Sequence, residues 1–204
     1  MIEKKFIETI RDSIRDNWDL PAFTDYGSTE TMTYGDVAAR IERLHILFRA
    51  CGIQRDDRIA LMGKNTTTWV TTYLAAVTYG AIIVPILQDF KANDAIHIIN
   101  HSGSKLLFIA DALYENMDIA QMETVLAVFS LNNFEPIAMT GKLNAEKLSC
   151  KFIDSEFKRQ HPDGLKKMEQ SLKKIWLLQQ AQQETNIWLL LGHLQQNSQS
   201  QQDS

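Results

Sequence analysis

The alternation of apolar and polar positions divides the chain into a helical start, a strongly periodic middle and an end whose period fades. Apolar residues at Ile2, Phe6, Ile10, Ile14 and Trp18 stand four apart and mark one face of a helix over residues 1–18. Residues 21–33 read as a small hairpin around a turn that holds Gly27. Thr33-Tyr34-Gly35-Asp36 has the form of a capping box with Asp in place of Glu. It starts a helix through Cys51, with Val37, Ile41, Leu44 and Phe48 on the apolar face and Gly52 as the stop.

Short apolar runs then alternate with helical stretches. Strands are predicted at 58–63, 81–86, 105–110 and 125–129, and helices at 65–80, 92–101 and near 112–120. Strand and helix in strict alternation predict an α/β fold, a partial doubly wound and mostly parallel sheet with flanking helices, beside the small N-terminal hairpin. Continuous apolar runs imply strands covered on both faces. Ile59, Leu61, Ile83, Val84, Leu107 and Ile109 are therefore expected to be nearly buried.

Beyond Asn132 the pattern weakens. The domain reading is an α/β subdomain over 1–135, a peripheral segment over 136–178 and a tail over 179–204. Residues 142–161 show no clear period. Leu165, Met168, Leu172, Ile175 and Trp176 fit one face of a helix over 164–178. The glutamine-rich tail has too little apolar surface to offset its ordering entropy and is expected to be disordered.

Composition narrows the class. A net charge of −4 lacks the basic excess of a nucleic-acid-binding domain, so no nucleic-acid partner is expected. The most apolar stretch, 73–87, is interrupted by Thr78, Gly80 and Pro85 and is too short to span a bilayer, which needs about 20 apolar residues. The N-terminus lacks an apolar signal core, so a cytoplasmic location is expected. Cys51 and Cys150 stand far apart with no His or Cys neighbour, which fits reduced thiols.

Candidate chemistry is sparse. Gly63-Lys64-Asn65 follows a strand, but Arg58 stands where a phosphate-binding loop needs its first Gly, and Asn65 where it needs Ser or Thr. A strand-to-helix turn with Asn65 as N-cap is the better reading. His97 and His101 have a spacing that can grip zinc, but no carboxylate or Cys completes a ligand set, and a solvated pair is expected. Asp56 and Asp57 fit turn chemistry. Asp89 ends a strand on the edge where open α/β sheets bind ligands, and is the one carboxylate singled out for function. Trp69 and Tyr73 are read as packing of their helix on the sheet. No catalytic, cofactor-binding or metal-ligating residue is assigned.

The stretch from Thr31 to Asp111 resembles the N-terminal region of the acyl- and aryl-adenylating superfamily, most closely the long-chain fatty acid–CoA ligases. Thr33-Tyr34-Gly35-Asp36-Val37 matches its T-Y-x-E/D-L opening. The segment from Asp57 to Asn65 matches D-R-V-A-I-x-x-x-N, and Trp69 the Trp beyond it. Gly80-Ala81-Ile82-Ile83-Val84-Pro85 matches G-A-V-x-V-P, and Asn100 to Lys105 the D-S-G-A-K stretch. The resemblance implies a ligase that joins a fatty acid to coenzyme A through an acyl-adenylate, using ATP and Mg2+. It also implies a Gly/Ser/Thr-rich phosphate loop near residues 185–195, where Thr185-Asn-Ile-Trp-Leu-Leu-Leu-Gly192 stands instead. A shift of reading frame between about Leu177 and Leu190 would produce such a change. The chain is thus expected to be a fragment, inactive alone and needing no cofactor of its own. The alternative is a non-catalytic relic or interaction module, with self-association through uncovered apolar surface.

Overall fold

Among the described residues five strands form one sheet, in the spatial order Ile82–Ile86, Arg58–Met62, Leu106–Ile109, Ala127–Ser130 and Pro136–Met139, and two more form a separate hairpin. The computed structural model describes residues 2–163, with burial from Phe6 onward. The expected helix at 164–178 and the tail from 179 lie outside the described residues.

The chain opens with α1 (Ile2–Asp16), followed by β1 (Pro21–Thr24) and β2 (Thr31–Thr33), which pair antiparallel. On α1 the buried positions are Ile7 and Ile14, with Ile10 packed beside them, while Phe6 is exposed. Residues four apart drift by about 40° on a helix, so a strict four-residue row rotates out of the interface and a mixed three-four row stays in it.

The capping box is present. Thr33 Oγ1 accepts from Asp36 N at 3.1 Å, and Asp36 Oδ2 accepts from Thr33 N at 2.9 Å. It starts α2 (Tyr34–Ala50), whose four expected core residues are all buried. Gly52 follows at φ +72°, a left-handed turn that glycine enters without steric cost.

The alternating block gives β3 (Arg58–Met62), α3 (Thr67–Tyr79), β4 (Ile82–Ile86), α4 (Ala92–Ser102), β5 (Leu106–Ile109), the short α5 (Asp111–Tyr114) and β6 (Ala127–Ser130). β3 pairs parallel with β4 and β5, and β5 with β6. Alternate residues of each strand serve opposite faces. Ile59, Leu61, Leu106 and Phe108 join α2 and α3 in one core; Ala60, Met62, Leu107 and Ile109 join α4 in the other. The sheet is therefore wound on both sides.

Three differences from the sequence reading have physical causes. Ile83 and Val84 are only half-buried, because β4 is an edge strand whose outer flank pairs with nothing among the described residues. Ile82 N donates to Asp57 O at 2.9 Å, so by alternation the nitrogen of Pro85 points away from β3, where it forfeits no sheet bond. The expected helix near 112–120 shortens to α5 and a 3-10 turn at Ile119–Gln121. The weakly patterned region supplies β7 (Pro136–Met139), antiparallel to β6, and α6 (Cys150–Gln160), which buries Ile153 and Phe157 against α2. Only two buried residues in eleven leave little period to read.

Candidate functional site

The loops after β3 and β4 enclose a concavity of about 330 Å³ at the C-terminal ends of the strands. Gly63, Lys64, Asn65 and Trp69 line one side, and Leu87 and Asp89 the other. This is the edge where open α/β sheets carry ligands. The structure therefore brings Asp89 beside the Gly63-Lys64-Asn65 turn, although Asn65 and Asp89 are 24 positions apart in the chain.

The first turn of α3 adjoins this concavity, and two of its backbone donors, Thr67 N and Trp69 N, are already used. Asp25, from the hairpin, accepts from Thr67 N at 2.7 Å and from Thr67 Oγ1 at 2.9 Å. The N-cap is Thr66 rather than Asn65: Thr66 Oγ1 accepts from Trp69 N at 3.3 Å. Asp25 places a carboxylate where a phosphate-binding loop would hold an anion. Trp69 and Tyr73 stack at 5.7 Å and pack against the core below, as expected for helix-on-sheet contact.

A larger groove of about 580 Å³ lies between β2, α2 and α6. Arg43 donates to Asp154 at 2.6 Å across it and lies 4.0 Å from the centre of the Phe157 ring. Arg40 lies over Phe134 at 5.9 Å, and its Nη1 is buried without a hydrogen-bond partner. Burial lowers the Arg40 pKa, against the opposing pull of Asp25 and Asp36.

Behind the groove, α2, α3 and the end of α6 meet at a buried polar cluster. Glu42 and His45 are essentially inaccessible to solvent. Arg49 donates to Glu42 Oε1 at 3.1 Å, and His161 Nε2 lies 3.9 Å from the same atom. His45 Nε2 is 3.0 Å from Ala75 O, a pure acceptor, which assigns the proton to Nε2. His45 Nδ1 then faces Glu42 Oε2 at 3.8 Å with no hydrogen bond. Burial pushes the His45 pKa down to about 4, so the ring is neutral at pH 7.

The remaining candidates resolve into structural roles or solvent. Asp57 Oδ2 accepts from Gln54 N at 2.7 Å and from Lys105 Nζ at 2.8 Å, tying the turn before β3 to the start of β5. Asp56 sits at φ +64° in that turn, a conformation Asp tolerates. His97 and His101 are exposed on α4, and no cluster of three or more His, Cys, Asp or Glu able to hold a metal occurs among the described residues. Burial pushes the Cys51 thiol up to about 12 and that of Cys150 to about 11, so neither is a nucleophile at neutral pH. No described helix is long and apolar enough to cross a membrane. Sequence reasoning missed Asp25, Arg40 and the Glu42–His45 pair, because the partners of Asp25 and Arg40, and the segments that bury the pair, lie far away in the chain.

Comparison with known proteins is consistent with this architecture. The model of the AMP-binding enzyme family matches residues 10–172. The fatty acid–[acyl-carrier-protein] ligase ScoC of Streptomyces coeruleorubidus is 29% identical over 101 residues, covering 48% of this chain and 20% of the ligase. The long-chain-fatty-acid–CoA ligase FadD13 of Mycobacterium tuberculosis is 31% identical over 88 residues, covering 43% of this chain and 18% of the ligase. The crystal structure of coronafacic acid ligase from Pectobacterium brasiliense superimposes with a TM-score of 0.59 at 17% identity, over 70% of this chain and 29% of that one. In each of these the match spans less than a third of the other protein's length.

Proposed function

Given that the chain belongs to the AMP-binding enzyme family, we propose that it is the N-terminal scaffold of an ATP-dependent acyl-CoA synthetase and catalyses no adenylation by itself. The complete reaction would join a fatty acid to coenzyme A through an acyl-adenylate, releasing pyrophosphate and then AMP, in the cytoplasm. The part played by these residues is architectural: a doubly wound half-sheet on which the ATP- and acid-binding segments of a longer chain would rest.

The sequence at 185–195, where the resemblance puts a Gly/Ser/Thr-rich phosphate loop and Thr185 to Gly192 stand instead, carries the inactive reading, and one structural observation supports it. Two backbone donors at the start of α3, Thr67 N and Trp69 N, beside the strand-end concavity, are bound by Asp25 and Thr66. An incoming phosphate would meet a carboxylate where it needs preorganised donors. Lys64 and Asp89 can contact a ligand there, but they form no catalytic pair.

The test is pyrophosphate release from ATP and Mg2+ with and without a long-chain fatty acid, the chain being the only protein present. No acid-dependent release is expected, with ATP affinity no better than about millimolar, or about −4 kcal/mol. Pyrophosphate release that rises with added fatty acid refutes the proposal.

A second reading, a protein-interaction module, is favoured by Ile82, Leu87 and Phe90, which stand exposed on and just beyond edge strand β4. It predicts a stoichiometric complex with a protein partner that survives gel filtration.

A further inference from the structure

We propose that His97 and His101 on α4 form an exchangeable two-imidazole site for a divalent transition-metal ion of the zinc and nickel class. The two rings stand four residues apart on the exposed side of the helix. Their centroids are 6.1 Å apart and their planes 19° from parallel, so they face each other across one turn. Beyond this ring contact, neither has a hydrogen-bond or ion-pair partner among the described residues. Two imidazole nitrogens on zinc, each at about 2.1 Å and in tetrahedral geometry, stand roughly 3.4 Å apart. Side-chain rotation alone can bring two rings in this arrangement to that separation.

The helix beneath them is well held. Ala95, Ile96 and Ile99 are buried against the sheet. Asn100, between the two histidines, donates to Gln121 O at 2.9 Å and accepts from Glu123 N at 3.0 Å. Gly103 ends the helix at φ +66°, directing its N–H back to Asn100 O and Ile99 O. The backbone spacing of the pair is thus set before a metal arrives, and binding costs little beyond side-chain ordering.

The donor set defines the ion and the limits of its chemistry. Neutral imidazoles suit zinc, copper and nickel and discriminate against magnesium and calcium, which prefer oxygen. With two protein ligands the remaining positions belong to water, so the ion exchanges readily. Ile98 stands where a zinc hydrolase of the H-E-x-x-H type carries its general base, so the site binds without hydrolysing.

The test is calorimetric titration of the native chain with ZnCl2 and with NiCl2 at pH 7.5 in chelator-free buffer. It is paired with thermal unfolding, because an ion bridging one turn of α4 should raise the Tm. His97→Asn and His101→Asn should each weaken binding roughly a hundredfold, the chelate advantage of two joined ligands over one. Both should also abolish the metal-dependent Tm rise. These side chains are exposed, so the variants are expected to keep the native fold, checked by circular dichroism. The double variant reports background from all other groups. Native binding no tighter than that of the double variant overturns the site, as does a calcium response equal to that of zinc.

Discussion

The carboxylate of Asp25 reaches 42 residues along the chain to the start of α3, where it accepts from both the backbone N–H and the hydroxyl of Thr67. The hairpin thereby supplies part of the helix cap, and the two are joined at the edge of the strand-end concavity. The contact replaces water on a backbone donor that the helix itself cannot satisfy.

Asp25→Ala should therefore destabilise the chain by about 1–2 kcal/mol, the usual cost of losing a cap. Asp25→Asn keeps an acceptor and should recover much of that loss. Urea unfolding followed by tryptophan fluorescence measures both. An alanine variant as stable as the native chain would show that the bond contributes nothing net.

Gly35 presents a different constraint. It lies in the first turn of α2, and a Cβ placed there would stand 2.8 Å from the Trp18 indole. Its N–H donates to Trp18 O at 2.9 Å, so backbone and ring hold the same approach. Alanine in a helix is intrinsically favoured over glycine by about 1 kcal/mol. Here the overlap should win, and Gly35→Ala should lose about 1–3 kcal/mol. Combining it with Trp18→Ala should remove the penalty in a double-mutant cycle; additive losses would refute the steric explanation.

Burial of His45 makes stability depend on pH. Its folded-state pKa, about 4, lies below the ordinary 6.5. Between these values the unfolded chain binds the proton and the folded chain does not. Stability is thus fully present above pH 6.5 and is lost as the pH falls toward 4, by on the order of 3 kcal/mol. His45→Gln should flatten unfolding free energy measured across that window. An unchanged slope would assign the acid sensitivity elsewhere.

The side of β4 left uncovered among the described residues should drive self-association. Leu87 is 69% exposed and Ile82 and Phe90 about 42–43%. Pro85 lacks the N–H that strand addition would use at the outward edge, so contact should be through side chains. Sedimentation velocity should show concentration-dependent oligomers, reduced by Leu87→Lys. A single monomeric boundary at high concentration would contradict this.

The signals legible in the sequence are those whose cause is local. Thr33 and Asp36 bond across three residues, Gly52 and Gly80 end their helices within one turn, and the apolar runs of β3 and β5 match strands buried on both faces. The resemblance added the family, which the match over residues 10–172 confirms.

What only the tertiary structure decided depends on which distant segments meet. The run Ile82–Ile86 is as apolar as its neighbours, yet it lies at the sheet edge because β3 pairs with both β4 and β5. The cap at Thr67, the concavity joining Lys64 to Asp89, and the covering of Glu42 and His45 by α3 and the end of α6 each require segments distant in the chain. Hydrophobic period and capping chemistry act within about one helical turn or strand pair. Strand order and side-chain clustering arise from packing whole faces together, and no spacing along a single segment encodes that choice.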